Sequence, residues 1–357
     1  MKVLFLTQTP EIGASARYRV YQFVDYLKSQ GILCVVSPAN SMKVARNLTL
    51  RASFLDRMIG YGQPVVRRFF DLFRVRDYDV IFLQRDIFIH LPAVFEWLIS
   101  RLNRNLIFDF DDALYTFPSG GKFSFLYRLR GRNKIQKIIK MAKFVIVGNN
   151  HLKTYSQRFN ANIEVVPTSI NTDKYSVKED YKIKGVPVIG WVGRPGSSLY
   201  LQKFKDIFIE LSKKHNFILK TVGAGRLDIE GVKIVNEDWK AENEVSQILS
   251  FDIGIMPLSD SEWTKGKSAT KILQCMAAGV PVVCSAIGAN CDIVKDGENG
   301  FLAVTKDDWI RDLSLLIENE DLRIKFGEAG RATVEDGYSV KVNALKLKKV
   351  LEKVCHE

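Results

Sequence analysis

Two doubly wound α/β domains, each a Rossmann-like parallel sheet and the pair facing a central cleft, are what this sequence predicts. Three observations carry the prediction. The chain has 357 residues, more than one hydrophobic core usually organises, because domains cluster near ~100–150 residues. Short apolar runs bounded by polar or glycine-containing stretches recur in two series, with helical spacing inside each. Between the series, PTSINTDKYSVKEDYKIKGVP at 167–187 reads as a polar connection.

The first series is VLFL at 3–6, LCVV at 33–36, VIFL at 80–83, NLIFDF at 105–110, FVIV at 144–147 and IEVV at 163–166, all predicted as buried strands. Between its first two members Val20, Phe23, Val24 and Leu27 share a helical face, and Gly31 stands where a helix C-terminal cap belongs. Strand, helix, strand is the order of a parallel sheet. The second series is VIGWV at 188–192, FILKT at 217–221, VKIV at 232–235, DIGIM at 252–256 and VPVVC at 280–284. Leu201, Phe204, Phe208 and Leu211 supply the helix between its first two strands. Val340, Ala344, Leu347, Leu351 and Val354 line one face of a last helix that needs a surface to pack on. The expected domains are therefore 1–167 and 168–335, with 336–357 returning toward the first. Chemistry is expected in the loops after the strands, where open α/β sheets bind ligands.

Composition narrows the class. With 46% hydrophobic and 26% charged residues the chain should fold throughout. MKVLFLTQTP is too short an apolar stretch for a secretory core, and no window reaches the ~18–20 apolar residues of a membrane span. Five scattered cysteines, Cys34, Cys275, Cys284, Cys291 and Cys355, suggest neither a zinc site nor a disulfide framework, so a cytoplasmic home is expected. The net charge of +12 is asymmetric: residues 1–170 hold 25 Lys and Arg against 12 Asp and Glu, and the remainder 27 against 28. One half should meet something anionic.

Four constellations can carry chemistry. In GKSATKILQCMAAGVPVVCS, 266–285, a short helix capped by Ser268 or Thr270 would aim its N-terminus at a phosphate or at sugar hydroxyls. Lys267, Lys271 and Gln274 would share one side of it, two cations for a diphosphate and an amide for a ribose hydroxyl. Arg194, in the loop GWVGRPGSS, can fork onto two phosphate oxygens, whereas Gly190, Gly193 and Gly196 have the wrong spacing for a dinucleotide fingerprint. LIFDFDDAL sets Asp109, Asp111 and Asp112 at the end of a buried strand, where three carboxylates repel unless cations compensate. They admit a phosphatase-type nucleophile pair, a metal-binding D-x-D, carboxylates facing an acceptor, or structural pairing with basic residues; the motif's position beyond residue 100 and the lack of a Gly-Asp dipeptide weigh against the first. In EIGASARYR, Gly13 lets backbone approach a ligand, and Arg17 and Arg19 can meet an anionic acceptor or donor phosphates or else salt-bridge on the first helix. His90 and His151 lack metal-spaced partners and read as structural.

KILQCMAAGVPVVCSAIGANCDIVKDGENGFLA resembles the donor-binding signature of family 4 glycosyltransferases with the GT-B fold, glycosyl transferases group 1, written E-A-M-A-x-G-x-P-V-V followed by a glycine loop and D-G-x-N-G-F-L. MKVLFLTQTPEIGASARYRVYQFVDYL is similar to the family's first strand, glycine-containing loop and helix, VVPTSINTDKY to its inter-domain V-P-N-G-V-D-x-x-x-F, and VIGWVGR to the strand and basic loop opening its donor domain. The resemblance spans the chain and implies a retaining, metal-independent sugar transferase whose nucleotide sugar, UDP- or GDP-linked, is a substrate and not a cofactor. It assigns Arg194 to the diphosphate. The family's two glutamates, one for the donor sugar and one for the ribose, correspond to Gly266 and Gln274 here. The pattern G-K-x-x-x-K-I-L-Q resembles a sub-branch with lysines before the helix, which singles out Lys271.

The resulting expectation is a donor site of Gly13, Arg194, Lys267, Ser268, Thr270, Lys271 and Gln274, an acceptor side of Arg17, Arg19 and Asp109, and Asp111 and Asp112 at the reacting hydroxyl, with no metal. The acceptor would be a glycan or a lipid-linked molecule. RRFFDLFRVR at 67–76 and KFSFLYRLRGRNKIQKIIK at 122–140 interleave basic and apolar residues, which suits peripheral binding to an anionic membrane; no nucleic-acid signature is present. Two rival classes stand beside this: an aspartate-dependent phosphatase or phosphotransferase on Asp109 and Asp111, and a non-catalytic protein that binds anionic surfaces on a decayed transferase fold.

Overall fold

The structure, a computed structural model, describes residues 1–50, 54–116, 131 and 133–356. The chain forms two compact units, one of Met1–Thr168 with Gly266–Ser268 and Asn343–Glu357, the other of Ser169–Lys265 with Ala269–Val342.

The first unit alternates β1 (Lys2–Thr7), α1 (Gln22–Ser29), β2 (Leu33–Pro38), α2 (Phe54–Arg74), β3 (Val80–Gln84), α3 (Val94–Leu102), β4 (Leu106–Phe110), α4 (Lys134–Met141), β5 (Phe144–Val147), α5 (Asn150–Ser156) and β6 (Ile163–Val165). The six strands are parallel in the order β2-β1-β3-β4-β5-β6. Val3 to Leu6, Val80 to Leu83 and Val145 to Val147 are buried on successive positions, as a sheet covered on both faces demands.

A buried ion pair lies in this core. Asp109, one residue before the end of the otherwise apolar β4, is 0% exposed, and Arg19, 2% exposed, pairs with both of its carboxylate oxygens. Arg19 reaches inward from a π turn, Arg17–Tyr21, that leads into α1, and its guanidinium also donates to the Val166 carbonyl. An isolated carboxylate in such a place would cost several kcal/mol; the fork geometry of arginine makes it tolerable.

The second unit runs β7 (Val188–Val192), α6 (Lys205–Lys214), β8 (Ile218–Val222), β9 (Ile234–Glu237), α7 (Glu244–Leu249), β10 (Ile253–Met256), α8 (Thr270–Ala277), β11 (Val282–Ser285), β12 (Phe301–Ala303), α9 (Lys306–Glu318) and α10 (Glu320–Thr333). Its parallel order is β12-β11-β10-β7-β8-β9. The ring of Phe251 fills the space beside Gly190 on β7, where a Cβ would lie 1.9 Å from it. β9 begins two residues later than VKIV suggests, and β12, only three residues long, has no counterpart in the sequence reading. The last helix, α11 (Val340–His356), buries Ala344, Leu347, Leu351 and Val354, and from Asn343 onward it belongs to the first unit.

Removing either partner of the Arg19–Asp109 pair strands a buried charge, so Arg19→Ala and Asp109→Ala should each lower stability by about 3–5 kcal/mol. Urea denaturation monitored by circular dichroism measures the loss, and a change below ~1 kcal/mol would contradict this account of the pair.

Candidate functional site

Each sheet has a point where its strand order reverses, and in each unit polar side chains gather at the carboxyl ends beside it. In the first unit this is the junction of β1 and β3. Gln84 Nε2 donates to Ser15 Oγ at 2.8 Å, and Ser15 Oγ donates to Asp111 Oδ2 at 2.7 Å. Arg85, just past β3, takes both remaining carboxylates in hand: its Nε donates to Asp111 Oδ1 at 2.9 Å, and its Nη2 pairs with Asp112. Arg85 adopts φ +63°, a left-handed conformation that costs a non-glycine residue on the order of 1 kcal/mol or more. The surroundings hold it there. Its amide donates to the Asp109 carbonyl at 2.8 Å, and the next residue, Asp86, is tied by the buried Lys134 at 2.9 Å. Lys134 also lies 3.6 Å from Glu96, whose Oε1 accepts from the Ile87 amide at 2.9 Å.

The two carboxylates differ. Burial pushes Asp111 up, but Arg85, Arg19 and the Ser15 hydroxyl together hold it below the usual range and keep it ionised. Burial pushes Asp112 up as well, and the neighbouring Asp111 charge adds to this against the pull of Arg85 and Lys267. One site thus holds a fixed anion next to a carboxyl with raised proton affinity.

Several expectations need correction here. Arg19 and Asp109 are sealed in their mutual pair, so neither is open to an acceptor, and Asp109 is closed to a phosphate as a nucleophile. At Gly13 a Cβ would lie 1.9 Å from Thr9 Oγ1, so a larger residue there would have to turn the Thr9 side chain aside. Arg17 is half-buried, with its guanidinium 4.8 Å over the ring of Tyr18. Lys267 does not share a helix face with Lys271, because the helix starts only at Thr270 and Gly266–Ser268 belong to the first unit. There the Lys267 carbonyl accepts from Asn149 Nδ2 at 3.0 Å. Neither Ser268 nor Thr270 is the N-cap of α8: that position is Ala269, at φ +51°, with no capping side chain.

In the second unit the reversal lies between β7 and β10. Lys271, in the first turn of α8, sets its Nζ 5.3 Å over the Trp191 ring. The glycine at 193 makes room for both, since a Cβ there would meet Lys271 Cε at 2.7 Å and Trp191 at 2.6 Å. The exposed Arg194 follows directly. Gly223, at φ +77° past β8, lets that loop touch the Gly193 carbonyl, 2.6 Å from where its Cβ would be. Gln274 is buried and its amide donates to Tyr175 Oη at 3.2 Å. Tyr175 Oη donates to Glu244 Oε1 at 3.0 Å, and the indole of Trp239 donates to Glu244 Oε2 at 3.0 Å. Arg85, Ser15, Gln84, Trp191, Tyr175, Trp239 and Glu244 escaped the sequence reading. Arg85 alone carried a signal, as a charge directly after a buried strand.

Gly266 has a steric reason. A Cβ there would stand 2.6 Å from the Cβ and 2.7 Å from the amide nitrogen of Ala113, the residue after Asp112. Gly266→Ala should therefore cost about 1–3 kcal/mol by overpacking, and Gly266→Glu at least as much, read as lowered Tm in thermal denaturation. An unshifted Tm in both would show that this segment yields easily.

Comparison with known proteins agrees with this geometry. The family model for Glycosyl transferases group 1 matches residues 243–333, which include α8 and the glycine loop after β11. The chain is 25% identical over 318 residues to the uncharacterized glycosyltransferase MJ1069 of Methanocaldococcus jannaschii, covering 81% of this chain and 79% of that protein. In fold it is similar to a glycosyltransferase from Rickettsia africae ESF-5, with TM-score 0.69, 15% identity and coverage of 100% and 99% of the two chains. It is also similar to Anabaena Alr3699/HepE in complex with UDP and glucose, with TM-score 0.66, 15% identity and coverage of 99% and 100%. Its second unit carries the glycosyl transferases group 1 segment, and the chain is accordingly a glycosyltransferase with the GT-B fold.

Proposed function

We propose that the protein transfers a sugar from a nucleoside-diphosphate sugar to a hydroxyl of a glycan or lipid-linked acceptor, with retention of anomeric configuration. The observation that carries the donor half is the placement of Lys271, at the N-terminus of α8 and over Trp191, beside the loop that bears Arg194. Two cations and a helix N-terminus at a strand-order reversal suit a diphosphate. UDP is the first nucleotide to test, because the Anabaena relative is a complex with UDP and glucose. The row Gln274, Tyr175, Glu244 is assigned to the ribose side, with the half-exposed Glu244 as its outer end.

In this reading Arg194 and Lys271 stabilise the departing nucleoside diphosphate as the glycosidic bond breaks, the charge work that a divalent cation performs in other transferases. Asp111 and Asp112 serve the acceptor. Asp112 receives the hydroxyl proton as the acceptor oxygen attacks on the face the diphosphate leaves, while Asp111 and Arg85 fix its position. Work at the cytoplasmic face of a membrane, on a lipid-linked acceptor, fits the basic first half of the sequence. Of the two basic-apolar stretches, 67–76 lies within the described structure, whereas 122–130 and 132 lie outside the described residues.

Arg194→Ala and Lys271→Ala should each weaken UDP binding by about 1–3 kcal/mol in calorimetric titration, with Gln274→Ala milder; unchanged affinity in the first two would sink the donor assignment. Asp111→Asn and Asp112→Asn should lower turnover about 100-fold or more while leaving UDP affinity within about twofold, a split that a merely structural role would not produce. Turnover should also survive EDTA; complete loss in chelator, restored by Mg²⁺ or Mn²⁺, would transfer the charge work to a metal.

A further inference from the structure

The helix α2 is amphipathic the wrong way round. Its face toward the sheet carries Arg68 and Asp71, both buried and paired with each other. Arg68 also donates to the carbonyls of Thr7 at 2.7 Å and Ser37 at 3.0 Å, and Ser37 Oγ donates to Asp71 at 3.0 Å. The outer face carries Met58 and, two turns on, Val65, Val66, Phe69, Phe70 and Phe73, which meet one another at spacings of three and four, and all are exposed. Phe69, Phe70 and Phe73 are 52%, 62% and 69% exposed, and Phe69 meets the other two edge-on at 6.2 and 5.2 Å between centroids. On α3, which packs beside α2, Val94 and Trp97 are exposed too, with Arg101 5.8 Å over the Trp97 ring.

Scattered exposed apolar side chains are ordinary, but a contiguous aromatic ridge on a helix whose polar side is turned inward marks a surface that something covers. The rim says what. Arg74 and Arg76 are exposed at the end of the ridge, and Arg67 flanks it half-buried. A second copy docked face to face about a two-fold axis would bring these arginines near their own counterparts, whereas phosphate headgroups would complement them.

We propose that the outer face of α2 is a membrane-docking face for anionic lipid: the phenylalanines enter the boundary between headgroups and acyl chains, and Arg74 and Arg76 meet lipid phosphates. This extends the reading of a lipid-linked acceptor above by naming the element that holds the enzyme at the surface.

The test is co-sedimentation of the full chain with pure phosphatidylcholine vesicles and with equal-part phosphatidylcholine and phosphatidylglycerol vesicles, at low and high salt. UDP titration on the same preparations reports independently on the donor site. Two double variants are compared, Phe70→Ser with Phe73→Ser, and Arg74→Gln with Arg76→Gln, all at exposed positions. The wild type should bind only the phosphatidylglycerol vesicles and release in high salt. Both variants should bind them at least about tenfold more weakly, with UDP affinity unchanged. Negligible binding of the wild type to either vesicle, or undiminished binding of both variants, overturns the proposal. So does self-association that the Phe70→Ser, Phe73→Ser variant abolishes without any vesicle binding, which would give the face to a second copy. Vesicle binding without UDP binding would instead overturn the donor reading and leave this one standing.

Discussion

The pairing of Arg19 with Asp109 is the constraint from which the first unit's site is built. A fully buried carboxylate in an apolar strand has to be neutralised from within, and the π turn before α1 delivers the guanidinium that does it. That contact joins three parts of the chain, the entry to α1, the carboxyl end of β4 and, through the Val166 carbonyl, the residue after β6. It also fixes the Asp109 backbone, whose carbonyl holds the Arg85 amide, and Arg85 in turn divides its guanidinium between Asp111 and Asp112. The strained conformation of Arg85 is thus over-determined by its neighbours, which is the condition for strain to persist at a site. Of three adjacent carboxylates, one is buried for structure, one is held ionised and one is left with raised proton affinity.

The fold was legible because its strands are buried on both faces. VLFL, VIFL and FVIV cannot be anything solvated, and their order with the intervening helical spacings dictates a parallel sheet. β12 was not legible: three residues with one buried side chain leave no periodicity to read, and only pairing with β11 makes them a strand. The carboxylates were legible as a cluster, but their division of labour was not. Nothing in F-D-F-D-D says which aspartate meets an arginine 90 positions earlier in the chain. The cap of α8 failed for a local reason. Ser268 and Thr270 are good capping types, yet Ala269 turns left-handed between them and takes the position without a side-chain bond.

Periodicity has a further limit, visible in α2. It finds the two faces of a helix and does not say which is inside. The usual inference, apolar inward, fails here because Arg68 turns inward and donates to the backbone carbonyls of Thr7 and Ser37 at the ends of β1 and β2. Once Arg68 is inward, Asp71, one turn on, must follow to neutralise it, and the residues between and around them are rotated outward. The exposed phenylalanines are then a consequence of how the sheet end is satisfied, and the sequence keeps them apolar at positions where a solvated helix would carry charge.

The charge distribution in the two units argues for their different tasks. At the first unit's strand ends, Asp111 and Asp112 face Arg85, with the charge of Lys267 acting on Asp112. Two carboxylates set against the guanidinium of Arg85 make this the end at which the proposed reading places the acceptor hydroxyl. In the second unit Arg194 and Lys271 stand at the strand ends, Lys271 over the ring of Trp191. Two cationic side chains beside a helix N-terminus are the arrangement that the proposed diphosphate reading uses. The missing glutamate fits the same division. A Cβ at Gly266 would crowd Ala113, the residue after Asp112, and Gly266–Ser268 belong to the first unit, so a glutamate there would have to displace that contact.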